Sequence, residues 1–240
     1  MIETWNQYKD WLSNTITNNQ SYIFRGQENP NWKLQTTFHR LSEKTKMGLT
    51  EYMKDIIPKV AYEISSNFNE YYDLTNDVNK ASFLAKLQHH GFPTPLLDWT
   101  YSPYIAAYFA LKDIDIRNNS IDYVNIYIFD FISWSNQYEQ LLNLENTGKF
   151  FSLLQPHALN NQRVPKQMSI ATVTNVNDIQ NYLENTQNKN PELPFLQYAR
   201  LPVKEKPLIM NDLALMGINE LTLFPGLDGL CKSMKIRYFG

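Results

Sequence analysis

Cysteine is nearly missing from this chain. Its one representative, Cys231, excludes a disulfide framework and a cysteine-based zinc site, and a reducing cytoplasm is the expected setting. Histidine is scarce as well. With four in 240 residues, a metal site would need carboxylates too, and none is expected. Neither charge dominates: the net charge is −2 and the pI is about 6.1, so no global basic field exists to hold a nucleic-acid backbone. A nucleic-acid reading would require a clustered basic face from Lys44, Lys46, Lys54, Lys166 and the C-terminal lysines. Long apolar runs are missing too. None approaches the roughly 18–20 residues of a membrane span, so no membrane partner is expected, and the polar opening "MIETWNQYKDWL" has no signal-peptide pattern. Gly-x-Ser-x-Gly, the P-loop and Gly-x-Gly-x-x-Gly are all lacking. Cys231 stands beside Lys232 in a predicted helix with no ordered Cys-His-Asn arrangement, a poor fit to a nucleophilic hydrolase.

What is present is a 43% hydrophobic fraction, rich in aromatics, on a length that suits one domain over 1–240 with a sizeable core. Residues 4–17 place Trp5, Tyr8, Trp11 and Leu12 on one side of an amphipathic helix. Residues 21–25 read as a strand. Residues 49–74 read as helical, with Pro58 opening a second helix or kinking a single one. A helix over 79–90 stops at Gly91. Ser102 before Pro103 is an N-cap and first-turn pair for the next helix. "IDYVNIYIFD", 121–130, is apolar on both faces and reads as a central strand. Further strands are expected at 168–174, 195–201 and 235–239, and helices near 136–143, 177–185, 206–216 and 226–235; 185–194 reads as a loop. Helices outweigh strands and the two are interspersed. The expected class is α+β, with a small bent mixed or antiparallel sheet surrounded by helices.

Four segments carry the polar chemistry: "FRGQ" at 24–27, "LQHHGFPTPLLDWTYSPYIAAYFA" at 87–110, "NNQRVPKQMSIAT" at 160–172 and "GINELTLFPGLDGL" at 217–230. Each residue type has a structural and a functional reading. Arg25, where a strand gives out, either pairs with Asp98 or a helix end, or hooks an anion bidentately. A carboxylate at Asp98 paired with arginine stays ionised and makes a poor general acid. His89 and His90 close a helix and point to different faces, a poor metal pair. Ser102 is expected to use its hydroxyl as the cap. Trp99 reads as core, and Arg163 with Gln167 as a strand-end network. The density of turn residues and hydrogen-bonding groups between two helices in the second segment is how binding loops are built.

Together these segments resemble the FRG domain family, named for Phe-Arg-Gly. The matching residues are "FRGQ", the central run from Leu87 to Ala110, "RVPKQ" and "GINELTLFPGLDGL", and the resemblance spans roughly 4–235. This chain departs from it at Pro95, where the family usually has arginine, and at Ser169 and Ala171, where it tends to glycine and an aromatic. The family occurs in bacteria and phages, which makes a toxin or phage-defence setting an expectation. Its motif order is similar to that of ADP-ribosyltransferases. That analogy implies a nucleotide-like ligand, with NAD as cofactor. Arg25 would hold a phosphate or ribose. Thr100 and Ser102 would position the nicotinamide, and Tyr101 or Tyr104 would stack on its ring. Gln27, His89, Asp98 and Arg163 would complete the ligand contacts. Arg25, Gln167 and Glu220 would form the catalytic set. Gln167 stands where a carboxylate would support a developing oxocarbenium ion, a charge that glutamine cannot supply. The alternative is a non-enzymatic binding or sensor module. A carboxylate from Glu220 or Asp98 at the pocket near Gln167 would favour the enzyme.

Overall fold

The computed structural model describes residues 2–16, 21–117, 120–145, 148–154, 163–189 and 194–239. In chain order the elements are α1 (Trp5–Thr15), β1 (Tyr22–Gln27), α2 (Thr37–Thr45), α3 (Leu49–Glu51), a π-helical turn (Tyr52–Ile56), α4 (Ile57–Phe68), α5 (Asp77–His89), β2 (Leu96–Thr100), α6 (Pro103–Leu111), β3 (Tyr123–Asp130), α7 (Phe131–Gln137), β4 (Phe151–Leu154), α8 (Arg163–Lys166), β5 (Ser169–Thr174), α9 (Ile179–Gln187), β6 (Leu196–Pro202), a 3-10 turn (Val203–Glu205), α10 (Lys206–Leu215), α11 (Glu220–Leu223) and α12 (Leu227–Phe239). The class is α+β. Among the described residues the strands form one six-stranded sheet in the order β4-β5-β2-β1-β3-β6, and every neighbouring pair is antiparallel.

Strand alternation divides the core between the two faces of this sheet. Phe24, Val124, Ile126, Ile128, Ala199 and Leu201 face a cluster made with α6, α1 and α10. Ile23, Leu97, Trp99, Tyr127 and Phe129 face the opposite cluster, closed by Trp134 of α7 and Ile179 and Leu183 of α9. A third cluster joins α4 and α5 to Leu96, Ala171 and Val173. The two-faced burial of β3 follows from its place between β1 and β6.

Local signals fix the helix starts. Ser102 Oγ accepts from Ile105 N at 3.3 Å, and Pro103 needs no partner for a missing N–H in the first turn. Gly91 takes φ 82, which ends α5. Pro58 does open a new helix, α4, behind the π-helical turn, but α4 ends at Phe68, where Asn69 turns left-handed at φ 54.

Five elements differ from expectation. Residues 235–239 are helical: "KIRYF" has no breaker, so α12 runs through it. The helix expected at 136–143 lies earlier, at Phe131–Gln137, because Asp130 caps it by accepting from Ser133 N at 3.0 Å. β2 and β4 are strands that local pattern missed, since their apolar residues are held by partners far along the chain. α2 is started by Thr36, which accepts from His39 N at 3.2 Å. Part of the loop expected at 185–194 lies outside the described residues; its first three residues finish α9.

Candidate ligand-binding site

The site begins with a parting of the sheet. β1 pairs with β3 along all six of its residues, but with β2 only at Phe24↔Thr100. Past that pair the two strands separate. A cavity of about 1840 Å³ opens there, reaching from the gap to α2, α5 and the β5 end of the sheet. Arg25 spans the parting, its Nη1 donating to the backbone carbonyl of Asp98 at 2.7 Å.

Each letter of "FRGQ" has a separate physical reason. Phe24 is core. Arg25 takes the cavity. Gly26 lies under α6 so closely that a Cβ would stand 2.0 Å from the carbonyl oxygen of Ala106 and 2.6 Å from Ala110 N. Gln27 donates to the carbonyls of Trp32 at 2.7 Å and Asn29 at 3.3 Å, which closes the turn after the strand. That turn places Trp32 at the cavity wall, 54% exposed.

Some ionisable groups of the cavity are paired: Lys33 with Glu43 at 3.5 Å, and Lys86 with Glu70. Arg25, Arg40 and Asp98, like Glu28, Lys44 and Asp73, form no ion pair among the described residues. Arg40, on α2, donates from Nη1 to the carbonyl of Gln35 at 2.7 Å. The Nε–H of Arg25 is buried and has no hydrogen-bond partner among the described residues. Burial lowers the Arg25 pKa, the nearby Asp98 opposes that, and the Arg40 charge adds to the lowering. Asp98 opens into the cavity with protein ringing it, and this burial raises its pKa against the pull of Arg25 and of Gln88, whose Nε2 donates to Oδ1 at 2.5 Å. Gln88 is itself oriented by the Thr94 hydroxyl. His89 lies close enough to Asp98 to favour its ionised form.

Of the residues singled out in the sequence, Arg25, Gln27, His89, Asp98, Thr100 and Gln167 meet at this cavity. Two of them are committed to the fold. The Thr100 hydroxyl donates to the Gln167 carbonyl at 2.7 Å and accepts from Ser102 N at 3.0 Å, and Gln167 Nε2 donates to the Leu223 carbonyl at 3.1 Å. The others do not converge. Ser102 caps α6. Tyr101 packs edge-on to Phe131 at 6.0 Å, and Tyr104 edge-on to Trp5 at 5.9 Å, on the far side of α6. Glu220 is a correction to the expected catalytic set. It is buried under α6, where it accepts from the Tyr108 hydroxyl at 2.5 Å and pairs with Lys232 at 3.5 Å. Burial first, and Glu220 second, push the Tyr108 pKa upward. Arg163 belongs to α8, but its side chain lies outside the described residues. Of the two carboxylates the sequence pointed to, Asp98 lines the pocket and Glu220 does not.

Sequence reasoning missed Arg40, Trp32 and Gln88. Trp32 stands seven residues after Arg25 in the same polar turn, a signal open to reading. Arg40 has no motif around it. Among the described residues no three His, Cys, Asp or Glu side chains gather to hold a metal, and no helix is long and apolar enough to cross a membrane.

The class is therefore an α+β protein whose antiparallel sheet parts over a large cavity, with an arginine across the parting. The comparison of sequences finds an FRG domain, whose model matches residues 20–119. The matched segment holds β1, β2 and α2 through α6, and so most of the cavity. No curated protein and no solved structure gives a match.

Proposed function

We propose that this FRG domain binds a small nucleotide-like anion in the cavity where β1 and β2 part, with Arg25 as the anchor. The observation that carries the reading is a guanidinium with no ion pair among the described residues, held by one carbonyl and lining a large cavity. An arginine so fixed has lost part of its rotamer freedom before a ligand arrives and offers its remaining donors in a planar fork. Trp32 on the wall supplies an exposed ring of the kind that stacks on a base. Acidic and basic side chains interleave around the cavity, a pattern that suits a compact ligand better than a nucleic-acid backbone. The test is thermal unfolding with ADP and with NAD. Saturating ligand at about 100 times its Kd should stabilise the protein by roughly 2.7 kcal/mol, and Arg25→Gln should remove the shift. No shift with either ligand at millimolar concentration contradicts the reading.

A second reading is favoured by Asp98. An NAD-using transferase with an ADP-ribosyltransferase-like layout needs a carboxylate where positive charge develops on the ribose. Asp98 lines the cavity together with Arg25 and Gln167, and Glu220 does not. Release of nicotinamide from NAD by the native chain, lost in Asp98→Asn with NAD binding retained, is the expected result for an enzyme. Binding of NAD with no release supports the sensor module instead, and a bacterial defence role would be compatible with either.

A further inference from the structure

We propose that Arg25 and Arg40 act together as a two-arginine clamp, and that the ligand presents them with a doubly charged phosphoryl or pyrophosphoryl group. This rests on the reading of the cavity as a ligand site and adds Arg40, on which no sequence motif falls, and the charge of the group bound. The two arginines come from different elements, β1 and α2, and both line the same cavity. Each is fixed by one 2.7 Å hydrogen bond to a backbone carbonyl, that of Asp98 for Arg25 and that of Gln35 for Arg40. A carbonyl orients a guanidinium without neutralising it, so both keep a full charge and several free N–H groups. The buried Nε–H of Arg25 is a donor still waiting for an acceptor, a costly state that a ligand oxygen would relieve.

Charge decides the ligand class. Both arginines line the one cavity, and the Arg40 charge lowers the Arg25 pKa. A monoanion answers one of them. A phosphate dianion or a pyrophosphate answers both and offers paired oxygens to each fork. The neighbouring carboxylate works against the clamp, so its surroundings matter. Asp98 is turned to Gln88 Nε2, which takes up its Oδ1, and lies near His89. Among the other carboxylates that line the cavity, Glu43 is engaged by Lys33 and by the Gln35 amide at 3.0 Å, and Glu70 by Lys86.

The test is calorimetric titration of the full chain with inorganic pyrophosphate, inorganic phosphate and adenosine, at constant ionic strength. Pyrophosphate should bind the native protein. Arg40→Gln and Arg25→Gln should each weaken it at least tenfold, and Lys44→Gln, which removes a cation elsewhere on the cavity wall, less than twofold. Arg25→Lys keeps the charge but not the fork and should fall between. Arg40 is exposed, so its variant folds even if those of Arg25 do not. Pyrophosphate binding that is indifferent to Arg40→Gln overturns the clamp. Adenosine binding without pyrophosphate binding also overturns it, yet leaves the cavity a ligand site. Binding of neither probe removes both readings.

Discussion

Gly26→Ala should destabilise the protein by roughly 3 kcal/mol, the upper end for overpacking a close contact. The added carbon would meet backbone atoms of α6, and backbone cannot swing aside as a side chain does. A denaturant midpoint measured beside Arg25→Gln separates the two neighbours, because Gly26 serves packing and Arg25 serves the cavity. His39 gives a second prediction at this scale. It is buried against Thr36, whose hydroxyl lies 2.7 Å from Nδ1, and burial lowers its pKa from 6.5 to about 4. The unfolded chain takes up this proton below pH 6.5 while the folded chain does not until about pH 4. Stability from this group is therefore complete above pH 6.5 and falls as the pH drops towards 4. The loss between pH 7.5 and 4.5 should be about 2–3 kcal/mol, and His39→Gln should flatten that part of the urea midpoint against pH. A slope unchanged in the variant would assign the loss to other groups.

Helices α6, α11 and α12 meet at Glu220, so the consequences of its placement belong to elements. Glu220→Ala leaves the buried Tyr108 hydroxyl without its acceptor and should cost about 1–3 kcal/mol. Affinity for ADP should stay within twofold, because Glu220 does not line the cavity. A loss of ligand binding without a loss of stability would return Glu220 to the site. The elements best read from sequence were those with local reasons. The cap of Ser102, the stop at Gly91 and the two-faced apolar strand β3 are each written within a few neighbouring residues. β2 was hidden because "LLDWT" lies between prolines and gains its strand geometry from β5, about seventy residues later in the chain. The helical end of α12 was hidden for the opposite reason: apolar and basic residues alternate in "KIRYF" as in a strand, while the helix before it simply continues.

At the scale of the whole molecule, the cavity exists because two central strands pair at one position and then part. That arrangement depends on β3, β5 and the helices packed on both faces, and no short motif encodes it. Arg25, Gln27, Asp98 and His89 were legible as a group, since polar residues at element ends are where a site can converge. Arg40 was not, since only the fold carries α2 to the cavity. Tyr101 and Tyr104 do not line the cavity, because each packs against a ring of another element, Phe131 and Trp5, that no short motif reveals. The most direct measurement of the central claim is the side-chain Nε–H resonance of Arg25, assigned by its disappearance in Arg25→Lys, followed by heteronuclear NMR as ADP is added. The account predicts that this resonance moves and gains protection from solvent exchange as the buried donor acquires an acceptor. A resonance that stays in place while ADP perturbs other residues would show that the ligand is held elsewhere, and Arg25 would remain only the bridge across the parted strands.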